Sequence, residues 1–90
     1  IPLDLPKAHH RAGETLKTQT IEIDRAGNIY LNSRPVSLEE LKTDLGTMNR
    51  NVPLLIRADR TISLQNFVNV LDVIKELVFT RISLQTEADE

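Results

Sequence analysis

The strongest constraint on the fold is the apolar run at 52–61, which leads into the most apolar helical pattern of the chain. In an extended backbone Leu54 and Ile56 lie on one face and Leu55 on the other, so the run is apolar on both sides. A strand of this kind is typical of the centre of a sheet. We therefore expect a central strand here, and the remaining elements to be arranged around it.

The segment after this strand predicts a helix and a further strand. Apolar residues recur at helical spacing after a turn at 59–61, and the stripe comprises Phe67, Val70, Leu71, Ile74 and Leu77, widened by Val68, Val73 and Val78. Residues 80–86 then alternate, which predicts a strand with Ile82 and Leu84 facing inward. A strand, a crossover helix and a strand imply a right-handed parallel pair. The apolar surplus on the helix predicts either unusual burial or contact with another molecule.

The segment before the central strand predicts a hairpin. Residues 18–24 alternate strictly, with Ile21 and Ile23 inward, and a turn follows in which Gly27 is free to adopt a positive φ. Residues 29–31 continue as a second strand, with Tyr30 on the opposite face. We expect residues 32–36 to break that strand.

A second amphipathic helix is predicted directly after this break. Ser37 and Glu40 have the spacing of a capping box, in which each side chain accepts a hydrogen bond from the other residue's backbone amide. The apolar stripe that follows comprises Leu38, Leu41, Leu45 and Met48.

These elements predict a two-layer α+β domain with a four-stranded mixed sheet and two helices on one face, in the order ββαβαβ. The expected sheet order is second, first, third and fourth strand, which leaves the fourth at an open edge. We divide the chain into a flexible N-terminal tether at 1–16, the α+β domain at 17–87 and an acidic tail at 88–90.

The tether contains a candidate docking segment, Leu3 to Ala8. Pro2 and Pro6 favour an extended backbone, in which Leu3 and Leu5 lie on the same face. Two interpretations stay open: a disordered linker, or a short strand that pairs conditionally with a sheet edge.

Composition and motifs argue against catalysis and against nucleic acid. The formal net charge is −2 and there is no cysteine, so the chain lacks both a basic face for phosphates and a thiolate site. No phosphate loop, catalytic triad or metal-ligand spacing occurs, and the adjacent His9 and His10 point apart in an extended segment. Asp59, between Arg57 and Arg60, is expected to accept amide hydrogen bonds in its own turn. We predict no enzymatic activity, no metal and no cofactor.

Several segments together resemble the ExbD/TolR family. The segment from Leu3 to Ala8 resembles the family's sequence just outside its membrane helix, and residues 24–32 are similar to its first hairpin. Residues 56–59, with the helix that follows, resemble its strand and helix pair, and residues 81–87 resemble its last strand. The segment Leu-Asp-Leu-Pro-Lys-Ala favours ExbD over TolR.

The resemblance implies the periplasmic domain of an inner-membrane protein that works with ExbB, using the proton motive force to energise TonB for transmembrane transport. It implies protein contacts with ExbB, TonB and a second copy as a homodimer, and attachment to the membrane through a helix upstream of Ile1. The residues expected to contact partners are Leu3, Asp4, Leu5, Pro6, Lys7 and Ala8, with Asp59 and Arg60 as further candidates.

Two alternatives remain at the level of sequence. One is a small-ligand-binding regulatory domain using Asp59 and the helix start near Ser63, and the other is a TolR-like subunit of the Tol-Pal envelope system. One departure from the family is also visible: Leu77 and Val78 stand where a small residue and glycine usually end the second helix. Because valine is disfavoured in the left-handed conformation, we expect this helix to end differently or to run longer.

Overall fold

A computed structural model describes residues 16–87 as five strands and two helices. The elements are, in order, β1 (Gln19–Ile23), β2 (Ile29–Leu31), β3 (Arg34–Val36), α1 (Leu38–Gly46), β4 (Leu54–Asp59), α2 (Leu64–Glu76) and β5 (Ile82–Glu87). The strands form one mixed sheet in the order β3-β2-β1-β4-β5. The α+β prediction is confirmed, with one strand more than predicted. The docking segment and residues 88–90 lie outside the described residues.

The additional strand is β3, which pairs antiparallel with β2. Asn32 and Ser33 have φ values of 52° and 71°. They form a two-residue turn of the kind that matches strand twist, so the chain reverses instead of leaving the sheet. Pro35 is tolerated because β3 is an edge strand, where a missing amide hydrogen costs no ladder bond. The prediction that this segment breaks the strand was therefore wrong.

The core lies between the sheet and the two helices. β1 pairs parallel with β4, and β4 pairs parallel with β5, as a crossover helix requires. Ile21 of β1 lies beside Ile56 of β4, and both side chains are at most 1% exposed. The same buried cluster includes Leu41 and Leu45 of α1 and Ile74 of α2, so both helices cover one face of the sheet. The central position predicted for β4 is confirmed.

Helix α1 begins at the predicted capping box. The backbone amide of Glu40 donates to Ser37 Oγ at 3.0 Å, and the amide of Ser37 donates to Glu40 Oε1 at 2.8 Å. Helix α2 likewise begins after Ser63, whose side chain accepts from the amide of Asn66 at 3.1 Å. Neither helix among residues 16–87 is long and apolar enough to cross a membrane.

Helix α2 ends in a left-handed cap at Val78, so the prediction that this helix would end differently or run longer was wrong. Val78 has φ 66°, its amide donates to Lys75 O at 3.0 Å, and the amide of Phe79 donates to Ile74 O at 3.4 Å. These two bonds form a Schellman motif. Phe79 is only 4% exposed, so its burial and the two bonds together hold Val78 in a conformation that valine disfavours.

Candidate functional site: the open edge of the sheet

The two edges of the sheet differ in their capacity to accept another strand. β3 has three residues and a central proline, which blunts that edge. β5 has six residues and pairs on one side only, with β4. Within residues 16–87 no element pairs with the outer side of β5, so this edge is the candidate site for a partner strand.

The ladder between β4 and β5 determines which peptide groups face outward. The amide of Leu54 donates to Arg81 O at 2.8 Å, and the amide of Arg60 donates to Glu87 O at 2.9 Å. In a parallel ladder with this phase the amides of Ser83 and Gln85 bond to β4. The peptide groups of Ile82 and Leu84 therefore point away from the sheet, ready to pair with a further strand.

The helix-side face of β5 is apolar and uncovered. Ile82 lies beside Leu54 and Leu84 beside Ile56, so both occupy the face on which the core is built. Yet Ile82 is 37% exposed and Leu84 is 56% exposed. The predicted inward face is therefore confirmed. Neither side chain is buried, however, because the helices lie above the inner strands and leave β5 projecting beyond them.

One flank of α2 extends this apolar surface. Glu76 forms an ion pair of 3.3 Å with Lys42 of α1, so it marks the flank of α2 that faces α1. At 100° per residue, Leu64 and Leu71 lie on the opposite flank, on the β5 side. Leu64 is 76% exposed and Leu71 is partly buried. Contact with another molecule, one of the two outcomes that the apolar surplus predicted, is thus sterically open to α2.

The outer face of the sheet carries a charged cluster that ties three strands together. Arg57 of β4 donates through Nε to Glu87 Oε2 of β5 at 2.8 Å, and its Nη1 lies 3.6 Å from Glu22 Oε2 of β1. Hydrogen bonding to Glu87 and its charge raise the pKa of Arg57 above its usual value, although partial burial opposes the rise. Arg57 is therefore a structural cation shared by two carboxylates.

Asp59 and Arg60 lie where β4 turns into α2. The amide of Thr61 donates to Asp59 Oδ1 at 2.8 Å, and the Thr61 hydroxyl bonds to the same oxygen. These bonds, with that of the hydroxyl contributing most, lower the pKa of Asp59. The carboxylate of Asp59 thus stabilises the turn in which it lies, which is the structural role that the sequence indicated. The docking segment, the other predicted set of contact residues, lies outside the described residues.

A cleft of about 780 Å³ lies at the carboxyl ends of β1 and β4, where open α/β sheets commonly bind ligands. Its acidic groups have partners: Asp24, for example, accepts from the amides of Ala26 and Asn28 at 3.0 and 2.8 Å and from the Tyr30 hydroxyl at 3.3 Å. Burial acts to raise the pKa of Asp24, but these hydrogen bonds outweigh it and leave the pKa below its usual value. Across residues 16–87 no cluster of acidic or histidine side chains has metal-binding geometry.

Arg50 is a structural residue that the sequence did not indicate. Its Nε donates to Leu77 O, the C-cap of α2, at 2.7 Å. Its Nη1 lies 3.2 Å from Gly46 O at the end of α1 and 2.8 Å from Met48 O. The guanidinium also lies over the ring of Phe79, 5.3 Å from its centroid. One cation thus binds the negative ends of both helices. The link to Leu77 spans 27 positions, so local patterns carried no signal of it.

Comparison with known proteins matches the chain to one family. The family model described as "Biopolymer transport protein ExbD/TolR" matches residues 1–89. The "Biopolymer transport protein ExbD" of Aquifex aeolicus is 42% identical over an alignment of 87 residues, which covers 93% of this chain and 64% of that protein. A "Putative biopolymer transport protein ExbD-like 2" of Helicobacter pylori is 25% identical, over 83% of this chain and 60% of its own length.

A "Putative biopolymer transport protein ExbD" of Synechocystis is 28% identical over 96% of this chain, but these residues make up 33% of that protein. The chain thus spans less than two thirds of the length of these relatives. The family match nevertheless extends over nearly every residue, and it agrees with the resemblance read from the motifs. The chain belongs to the ExbD/TolR family of biopolymer transport proteins.

Proposed function

We propose that this chain is the periplasmic domain of an ExbD-like inner-membrane subunit, which works with ExbB to transmit the proton motive force to TonB. Its contribution is mechanical and non-enzymatic: it engages protein partners by strand addition. The observation that carries this proposal is the open edge of β5, a six-residue strand with outward peptide groups and an apolar helix-side face. Family membership and the names of the ExbD relatives support the transport role.

Strand addition suits this edge for two physical reasons. Backbone hydrogen bonds to Ile82 and Leu84 supply affinity, and apolar side chains at alternate positions of the partner supply register. On the helix side those side chains would be buried against Leu84 and the flank of α2 that carries Leu64. The partner's side chains on the outer face would lie beside Ser83 and Gln85, which are polar. The edge therefore selects strands that are apolar on one face and polar on the other.

In an extended backbone the docking segment Leu3 to Ala8 would have this alternation, with Leu3 and Leu5 on one face and Asp4 on the other. We propose that it is a second partner-binding element and that self-association as a homodimer uses the same edge chemistry. The Leu5→Asp variant is expected to keep the far-ultraviolet circular dichroism of the folded domain and to weaken docking. Loss of the folded signal would instead identify Leu5 as part of the core.

Titration of the isotope-labelled chain with a periplasmic TonB fragment, followed by nuclear magnetic resonance, tests the proposal. We expect shifts at the amides of Ile82 and Leu84. Leu84→Lys should weaken binding at least tenfold, because it removes an apolar contact and places a charge on the helix side of the edge. Ser83→Lys is the matched control, since it adds the same charge to the outer face of the same strand.

Three outcomes would contradict the proposal. Equal binding by both lysine variants would show that the helix-side face of β5 is not the contact surface. Shifts confined to residues 59–65 on addition of small metabolites would favour a ligand-binding regulatory domain. If the TonB fragment fails to bind while a fragment of a Tol-Pal component shifts the edge amides, the chain is a TolR-like subunit.

A further inference from the structure

We propose that β5 is a releasable strand, which detaches from β4 as a unit while the remainder of the domain stays folded. The strand is held between two fixed points, the buried Phe79 before it and the Arg57–Glu87 ion pair at its end. This goes beyond the proposed function, because strand addition requires β5 in place whereas release makes the edge of β4 available.

The burial of β5 differs from that of the other strands in the parallel part of the sheet. Ile21 in β1 and Ile56 in β4 are 0% and 1% exposed, whereas Leu84 in β5 is 56% exposed. Ser83, Gln85 and Thr86 are exposed as well. Apolar burial is the main stabilising contribution to folding, so detaching β5 loses far less stabilising free energy than detaching β1 or β4. What holds β5 is chiefly its backbone ladder.

The amino end of β5 has an anchor followed by a hinge. Phe79 is 4% exposed, its amide bonds to Ile74 O and its ring lies beneath the Arg50 guanidinium. Thr80 and Arg81 are exposed and precede the strand. A rotation at these two residues would free β5 without extracting Phe79 or undoing the end of α2.

The carboxyl end of β5 is held by a latch, the Arg57–Glu87 pair. Arg57 is shared with Glu22 of β1, so it keeps a carboxylate partner when Glu87 leaves. Both latch side chains are more than a third exposed, and ion pairs in that setting contribute little. Release therefore breaks one half-exposed ion pair, Arg57–Glu87, and leaves no buried charge without a partner. The freed edge of β4 can then accept another strand in place of β5.

Native-state hydrogen exchange of the whole 90-residue chain, in the regime where exchange reports opening equilibria, tests this release. The β5 amides of Ser83 and Gln85 bond to β4 in the ladder described above. The amide of Ile21 bonds to β4 by the same rule, because the neighbouring amide of Gln19 donates to Pro53 O at 2.9 Å. We expect Ser83 and Gln85 to exchange at least tenfold faster than Ile21.

Two variants of α1, remote from β5, separate release from global unfolding. Gly46→Ala meets no atom within 4 Å and strengthens the helix, so it should slow exchange of Ile21 about fivefold. Ser37→Ala removes the N-cap and should accelerate Ile21 by a similar factor. Neither should change Ser83 or Gln85. If these two amides respond to either variant as strongly as Ile21 does, β5 opens only when the whole domain unfolds and the proposal fails.

A third variant, Glu87→Gln, tests the contribution of the latch. Glu87→Gln removes the charge and should accelerate Ser83 and Gln85 about two- to fivefold. Unchanged exchange at these amides would show that the ion pair does not hold β5, which contradicts its assignment as the fixed point at the carboxyl end of the strand.

Discussion

Replacing Val78 with glycine should stabilise the domain, although valine is the larger and more apolar residue. Val78 occupies the left-handed region at φ 66°, which costs an L-residue roughly 1–2 kcal/mol, with a β-branched side chain at the upper end. Glycine removes this strain but gains freedom in the unfolded chain, at a cost of about 0.4–1 kcal/mol. Because the side chain is 65% exposed, the lost apolar burial costs only about 0.5 kcal/mol.

The net expectation is a gain of roughly 0.5–1 kcal/mol, measured as an increase of about 0.5–1 M in the urea midpoint for a slope near 1 kcal/mol/M. Val78→Ala is the matched control. It loses the same apolar contacts but keeps a Cβ, so it should leave the midpoint unchanged or lower. A lower midpoint for the glycine variant, or an equal gain from alanine, would refute the assignment of strain to this residue.

Two further predictions concern stability. Arg50→Met should lower the free energy of unfolding by about 2 kcal/mol, since charged hydrogen bonds to the ends of both helices are lost. Arg50→Lys should restore only part of this free energy, and full restoration would mean that a positive charge alone suffices. Because the folded pKa of Asp59 lies below its ordinary 3.8, its stabilising effect is complete well above that pH and is lost as the pH falls below it. Asp59→Asn should therefore reduce the slope of the free energy of unfolding against pH on the acid side. An unchanged slope would show that Asp59 does not contribute to this pH dependence.

Periodicity predicted most of the architecture because each long element has one strongly buried face. The stripe on α1, the alternation of β1 and the two-sided apolar run of β4 all correspond to observed burial. β3 was missed for a local reason. Asn32 and Ser33 adopt positive φ values and make a turn, although neither is glycine. Because asparagine tolerates this conformation, the Asn32–Ser33 pair was compatible with a hairpin turn on sequence grounds.

The errors at the candidate site have a different cause. Alternation correctly assigned Ile82 and Leu84 to the helix side of the sheet, but it contains no information on how far the helices reach. That extent depends on how α1 and α2 pack, through contacts such as Lys42 with Glu76 that join residues distant in sequence. Arg50 was overlooked for the same reason, since its acceptors lie in two separate helices.

The inequality of the two sheet edges limits growth of the sheet to one side. Across residues 16–87 one edge ends in a three-residue strand with Pro35 at its centre, and the other ends in β5. A sheet that can grow from both sides propagates head to tail, whereas one that grows from a single side is complete after one pairing. Within the described residues, each domain can therefore extend its sheet only on the β5 side, by one strand at a time.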